Sequence, residues 1–511
     1  MTALTELLLQ QLENNQTRRI IKDEGMGRWF TGQEMQQDVA ALKKMFRAAI
    51  LRRKDVVLVC LPNSAVFPLI NQAAWDLGII IHPISPSTPI AELQADWQEH
   101  RYPLMLVTPE LADAWSLPAF DHLAAPLLSN PTLQVLTSRA LLGARQPALP
   151  QTPDDDDLAL ILNTSGTTGK PKGVGLTHRM ILNAAQHNAK SNHMTENDVA
   201  MINMPMFHIN AQVMSTLSSR VVNARIVVTP KFSASRFWDQ CAEDHVTWVS
   251  VVPTIISFLL LNDKANAAYD RLKDQVHLRY VRSSSFALPQ ERLRDFQARF
   301  HTQVVEGYGM TEAASQCTIN PFDAPKIGSA GIPYATDVEI FTASGAHTKA
   351  ANVLGEIGIR GDHVITHYMD PNLESFKNGW LLTGDLGYFD EDGYLYVKGR
   401  KKEIISRGGE KVAPAAVENT LNELPFIEQL AVIGMPDELY GEEVTAVVVS
   451  TTPGKNEAEE RQAIFDYAKD HLAKFESPTR VEFVNDMPRN PTGKVLRPQL
   501  RDQLMMVGAN K

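Results

Sequence analysis

The sequence predicts an α/β protein: a large N-terminal domain of α/β subdomains followed by a β-rich subdomain, with a small α+β domain at the C-terminus. Three observations carry this expectation. Short apolar runs alternate with longer segments of helical period, the rhythm of βαβ units around a mostly parallel sheet. After about residue 330 the texture changes to short strands with turn signals. The last ~110 residues then form a compact αβ pattern of their own, the size of a separate domain.

Taken in order, MTALTELLLQQLENNQ reads as an amphipathic helix, because Glu6 and a short apolar core do not make a secretory signal. DVVLVCLP at 55–62 reads as a strand, SAVFPLINQAAWDLG as a helix and IIIHPIS at 79–85 as the next strand. The rhythm recurs in ARIVV, HLRYVRS and TQVVEGYG, with helix-like ASRFWDQCAEDH and PQERLRDFQARF between. In YFDEDGYLYVKGR, Asp392-Gly393 between alternating aromatic residues marks a hairpin. Gly408-Gly409 in GRKKEIISRGGEK permits a tight turn at positive φ. Beyond it AAVENTLNEL and RQAIFDYAKDHLA read as helices, and IEQLAVIGM, VTAVVVST and TRVEFVN as strands. The expected division is 1–399, a charged connector at 400–402 and 403–511. The acidic run Asp154 to Asp157, after LPQTP, reads as a solvated linker.

The 511 residues exceed one ordinary core, so more than one domain follows. With 44% hydrophobic and 21% charged residues the composition is that of a globular protein. A formal charge of -10 argues against a broad electrostatic grip on nucleic acid or anionic lipid, which leaves a small molecule as the default ligand. Cys60, Cys241 and Cys317 have no metal-site or redox spacing. The most apolar long window, Val246 to Leu261, is interrupted by polar residues and Pro253 and is too short to span a bilayer. A cytoplasmic protein, monomeric or homodimeric, is expected.

One stretch asks for a ligand. LILNTSGTTGKPKGVGLTH, Leu160 to His178, sets glycines and Ser/Thr hydroxyls between an apolar run and two lysines. Backbone N–H groups in such a turn form an anion-binding nest, and phosphate is the natural guest. The spacing is not that of a Walker loop, since Pro171 follows Lys170 where that motif requires a hydroxyl and a helix.

Further motifs follow: MPMFH (204–208), GYGMTE (307–312), TGD (383–385) with GRKKEIISRGGEKV (399–412), and PTGK (491–494). With TSGTTGKPKG they resemble, in order, the AMP-forming acyl-adenylate superfamily of acyl- and aryl-CoA ligases, firefly-type luciferases and peptide-synthetase adenylation domains. The resemblance runs from LPNSAVF to PRNPTGKVLR and implies the acyl-adenylate-forming fold. It also implies two half-reactions. A carboxylate attacks the α-phosphorus of ATP, giving acyl-AMP and pyrophosphate; a thiol then attacks the carbonyl and expels AMP. By resemblance Thr164, Ser165, Gly166, Thr167, Thr168, Gly169 and Lys170 would hold the β- and γ-phosphates, with Lys172 either assisting or solvated. Glu312, beside Thr311, would bind Mg²⁺. Asp385 would accept the ribose hydroxyls, Tyr308, after Gly307, would stack on adenine, and Arg400 would bond ribose or α-phosphate. Lys494 would bridge the acid and the α-phosphate as charge develops. The small domain would swing about Lys402 and present Gly408 and Gly409 to the pantetheine arm of coenzyme A or of a carrier protein.

The implied acyl pocket comprises His208, Asn210, Ser283, Ser284, Ser285, Gly309, Ala314 and Ser315, with His208 bordering the carboxylate. The serine hydroxyls favour a small or polar acid, because unpaired polar groups buried against methylene cost about 1–3 kcal/mol each. The wording of these segments is similar to oxalate- and carnitine-type CoA ligases, except that Ser315 stands where oxalate-type members tend to have histidine. That loss of a cation argues against a dicarboxylate. The leading expectation is an ATP-dependent carboxylate–CoA ligase. The alternatives are a stand-alone adenylating enzyme loading a carrier-protein phosphopantetheine, and a nucleotide-binding protein whose catalysis has decayed.

Overall fold

The computed structural model describes the chain apart from residues 116–119, 144, 147–150, 165–171, 287, 371–374, 490–493 and 510–511. The described strands form four sheets. In the nine-stranded sheet Val199–Ile202, Trp248–Val251, Tyr280–Ser283 and the start of Gln303–Met310 lie side by side and parallel. Arg225–Val228 and Arg19–Asp23 continue on the other flank of Val199–Ile202, also parallel. The chain therefore leaves this strand toward both sides, which opens a crevice at the strands' carboxyl ends, where open α/β sheets bind ligands.

The seven-stranded sheet pairs Val56–Cys60 in parallel with Ile80–Pro83 and Leu104–Val107. Helix Phe67–Trp75 is buried along its whole length. Its apolar side chains join one continuous core with those of both sheets, and Asn71 Nδ2 donates to Gln212 Oε1 at 2.9 Å across the seam. The hairpin expected around Asp392-Gly393 forms between Trp380–Phe389 and Leu395–Arg400.

The small C-terminal sheet is built on Ile427–Asp437 against Gly441–Ser450, with Arg480–Phe483 added in parallel. Helices Pro414–Leu421 and Glu457–His471 appear where expected, and Arg497–Ala509 adds a helix the apolar periodicity does not announce. Two buried clusters, from Ile405 to Val481 and from Ala431 to Leu504, form its core, separate from the cluster that begins at Leu4 and ends at Leu395. None of the described helices is long and apolar enough to cross a membrane.

The acidic run departs from the solvated-linker expectation at its last residue. Asp157 is only 6% exposed and takes two hydrogen bonds from Arg53, at 2.5 and 2.8 Å. Asp155 accepts from the backbone N–H of Ala3 at 2.9 Å, and Asp156 pairs with Arg179 at 2.8 Å. The run pins the N-terminal helix Ala3–Asn14 and helix His178–Ser191 to the sheets. Asp154 and Asp156 remain exposed as expected of a solvated run, and only Asp157 is buried against its distant partner.

Candidate functional site

Strand Val199–Ile202 ends directly before MPMFH, so that segment starts at the crevice. Asn63, from LPNSAVF, holds it there: its Nδ2 donates to the Met204 carbonyl at 2.8 Å and its Oδ1 accepts the Met206 N–H at 2.7 Å. The chain then enters a π-helix, Asn210–Leu217, a rare geometry that recurs at functional sites. His208 stands just before it. Its Nε2 is buried without a hydrogen-bond partner among the described residues, and burial pushes the imidazole down to about 4. The ring is therefore neutral at physiological pH.

The expected pocket residues converge on this end of the sheet. Asn210 Nδ2 donates to Ser284 Oγ at 3.3 Å. Ser283 is 2% exposed and its Oγ has no partner among the described residues. Gly309 lies so close to the returning strand Ser315–Ile319 that a Cβ there would come within 1.6 Å of the Ser315 carbonyl oxygen. Ser285, Ala314 and Ser315 hold φ values of 83°, 47° and 130°. For non-glycine residues such backbone is strained, and strain of this kind gathers at ligand sites.

Arg282 was not foreseen. Its side chain is 2% exposed. Nη2 donates to Gln316 Oε1 at 3.2 Å, a Cβ on Gly307 would meet Nη2 at 3.0 Å, and Nε has no partner among the described residues. None of the described carboxylates pairs with it, and burial lowers the guanidinium to about 10. A buried cation without a counter-ion is costly. The sequence offered no sign of it, since an arginine in HLRYVRS is as readily a strand-edge charge.

The residues expected to bind nucleotide form a second group. Strand pairing sets Asp385 opposite Arg400, and Arg400 Nε lies 2.8 Å from Asp385 Oδ1. Tyr308 Oη donates to Asp385 Oδ2 at 2.6 Å, so the tyrosine expected to stack on a base also grips this carboxylate. Glu312 is 7% exposed. Its Oε1 accepts from Tyr368 Oη at 2.9 Å, and Lys172 Nζ sits 4.7 Å from the Tyr368 ring centroid. Tyr368 is a second residue that its sequence context, THYMD, did not reveal. Thr311 begins the short turn that carries Glu312.

Lys494, far away in sequence, joins this group. Burial, with the Arg400 and Arg497 guanidinium groups, lowers its ammonium from the ordinary lysine value, while Glu403 and Asp385 pull the other way. Thr164 lies opposite Lys172 in the strand pair Leu158–Thr164 and Lys172–Thr177. Ser165, Gly166, Thr167, Thr168, Gly169 and Lys170 fall outside the described residues, as do Pro491, Thr492 and Gly493. Gly408 and Gly409 adopt φ of 57° and 93°, the tight turn expected of them. The Gly408 N–H donates to the Tyr440 carbonyl at 2.8 Å, so in this arrangement the turn packs on its own sheet. Lys402 is exposed between the large and small cores.

Comparison with known proteins gives the family. The chain matches the AMP-binding enzyme family over residues 8–369 and the AMP-binding enzyme C-terminal domain over 416–494. It is 34% identical to the sulfoacetate–CoA ligase of Cupriavidus necator, over 91% of this chain and 90% of that one. It is 32% identical to the oxalate–CoA ligase of Arabidopsis thaliana, over 89% and 90%. The anthranilate CoA ligase AuaEII in complex with anthranoyl-AMP has the same fold, with a TM-score of 0.87 at 21% identity over 99% of this chain and 98% of that one. An ATP-bound RpMatB-BxBclM chimera superposes with a TM-score of 0.83 at 25% identity, over 98% and 99%. The chain belongs to the adenylate-forming, AMP-binding enzyme family and carries both its large domain and its C-terminal domain.

Proposed function

We propose that the protein activates a small, polar carboxylic acid with ATP and transfers the acyl group to coenzyme A. It is an acid–CoA ligase of the adenylate-forming family. In the first half-reaction a carboxylate oxygen bonds to the α-phosphorus and pyrophosphate leaves. In the second the CoA sulfur bonds to the carbonyl carbon, AMP leaves and the thiol proton is released. The observation that carries this reading is the company Lys494 keeps: an ammonium from the C-terminal domain faces the Asp385–Arg400 pair of the large domain.

Lys494 neutralises charge on the acid and α-phosphate as the transition state forms. Thr164 to Lys170 hold the departing phosphates. Asp385 accepts the ribose hydroxyls with the lone pairs that Tyr308 and Arg400 leave open, since an ionised carboxylate has about four acceptor sites. The donor set at Glu312 fits Mg²⁺: Tyr368 takes one oxygen of a buried carboxylate, leaving the other for a hard cation, and Mg²⁺ is commonly held by one or two carboxylates with phosphate and water. Bound there, the ion offsets phosphate charge. The two domains meet at 400–402 and turn about Lys402, so that Gly408-Gly409 replaces Lys494 at the acyl group for thioester formation.

The acid is short. His208, Asn210, Ser283 and Ser284 offer it hydrogen bonds, with two of these polar groups buried and unpaired. Arg282 supplies the positive charge that the absence of histidine at Ser315 removes, so the preferred acid carries a second anionic group. Sulfoacetate and oxalate, named in two relatives, are acids of that kind. Acid-dependent ATP–pyrophosphate exchange across a panel of short dianionic, short neutral-tailed and long-chain acids tests this. Exchange highest with the dianions supports it; exchange highest with long alkyl acids contradicts it. Offering coenzyme A and a holo-carrier protein to the adenylate then decides the thiol, with CoA expected.

A further inference from the structure

We propose that His187, Asp362 and His363 form a binding site for a divalent transition metal of the zinc class, separate from the nucleotide and acyl residues. His187 lies on helix His178–Ser191, and Asp362 and His363 follow strand Gly355–Arg360. Asp362 Oδ1 stands 3.1 Å from His187 Nε2 and 3.1 Å from His363 Nδ1. The ligand atoms of the three residues all lie within 4.8 Å of one another. Imidazole nitrogens and a carboxylate oxygen bound at about 2.0–2.1 Å on tetrahedral vertices are separated by roughly 3.3 Å. The two nitrogen–oxygen separations already approach that edge length.

The hydrogen bonds around His363 argue for a cation. The ring is 1% exposed. Its Nε2 lies 3.3 Å from the Gln316 carbonyl oxygen, which can only accept, and 3.1 Å from Thr336 Oγ1, whose hydroxyl donates to the Tyr334 carbonyl at 3.1 Å. With the ring proton on Nε2, donating to the Gln316 carbonyl, Nδ1 turns a lone pair toward Asp362. A carboxylate also has only lone pairs to offer. In that tautomer two acceptors face each other at 3.1 Å, and a metal ion between them converts repulsion into ligation. An outer N–H bonded to a backbone carbonyl is also how metal-bound histidines are oriented.

Access is open, since the side chains of His187 and Asp362 are 30% and 55% exposed. Three protein ligands leave a coordination position for water. The site joins its helix to the segment that supports the candidate Mg²⁺ carboxylate: the Ile365 N–H donates to the Glu312 carbonyl at 2.9 Å, and Tyr368 bonds the Glu312 side chain. Metal binding there clamps this segment to the helix.

Full-length protein, freed of metal by chelation and dialysis, is titrated with Zn²⁺ by calorimetry and with Co²⁺ by visible absorption. One Zn²⁺ per chain is expected, with a tetrahedral Co²⁺ spectrum and a rise in Tm. His187→Ala at a half-buried position and Asp362→Asn at an exposed one each weaken binding at least tenfold and abolish the Tm rise, while their metal-free Tm matches the parent's. Absence of a one-to-one site, or a site that neither substitution weakens, overturns the proposal. These readouts need no acid, ATP or coenzyme A, so they stand apart from the test of the ligase reaction.

Discussion

The two halves of the site differ in how their charges are met. On the nucleotide side every buried carboxylate has a partner: Asp385 has Arg400 and Tyr308, and Glu312 has Tyr368. On the acyl side the buried polar atoms are left over: Arg282 Nε, Ser283 Oγ and His208 Nε2. Burial without a partner costs about 1–3 kcal/mol per group, more for a charge, so such groups survive where a ligand satisfies them. On the proposed assignment, the nucleotide side is preorganised by the protein and the acyl side is completed by its substrate. Strained backbone at Ser285, Ala314 and Ser315 marks the same side.

The largest effect expected from breaking this contrast is at Lys494, which the C-terminal segment brings to the Asp385–Arg400 pair. Lys494→Ala lowers acid-dependent pyrophosphate exchange by about 10²–10³-fold, the scale of one lost transition-state charge contact. Thioester formation from added acyl-AMP continues. Because burial and the nearby arginines lower its pKa, the ammonium is lost as pH rises through a value below that of free lysine. Adenylation therefore falls on an alkaline limb in the parent that thioester formation does not share.

Next in size is Arg282→Met. If the guanidinium awaits an anion, kcat/KM for dianionic acids falls about tenfold to a hundredfold, the worth of a charged hydrogen bond, and for neutral-tailed acids changes little. Removing a buried cation that lacks a counter-ion leaves Tm equal or higher. Equal loss with every acid, together with a lower Tm, would assign Arg282 to structure and erase the contrast.

Glu306 stands where the two sides meet, opposite Ser283 in the parallel pair, and burial pushes its carboxyl up to about 7 from an ordinary 4.5. The folded state keeps a proton that the unfolded state releases, so its stabilising contribution is full below about 4.5 and is lost as pH rises to about 7. Glu306→Gln, which cannot ionise, raises Tm relative to the parent at pH 8 and gives no such gain at pH 4 in thermal melts. The smallest effect is on the closed side. Tyr308→Phe removes one hydrogen bond to Asp385, worth about 1 kcal/mol, and raises the KM for ATP a few-fold without changing acid preference.

How much of this could be read from the chain depended on distance along it. The strands and helices of the βαβ units followed from local periodicity, and the hairpin at Asp392-Gly393 and the turn at Gly408-Gly409 from local backbone freedom. The nucleotide residues were visible as short motifs in order. What stayed hidden was contact between distant segments. Asp157 read as solvated because Arg53, its partner, lies 104 residues away. Tyr368 meets Glu312 across 56 residues, and His187 meets Asp362 across 175. Arg282 sits inside a recognised strand, but its lack of a counter-ion is a property of packing and leaves no trace in a motif. The π-helix at Asn210–Leu217 is likewise set by the crevice it lines.

The most direct test of the account is the fate of ATP when a short dianionic acid and coenzyme A are supplied together. Acid-dependent release of AMP and pyrophosphate in equal amounts, with one acyl thioester formed per AMP, is the predicted result. Release of ADP and orthophosphate, or ATP turnover indifferent to the acid, would contradict it.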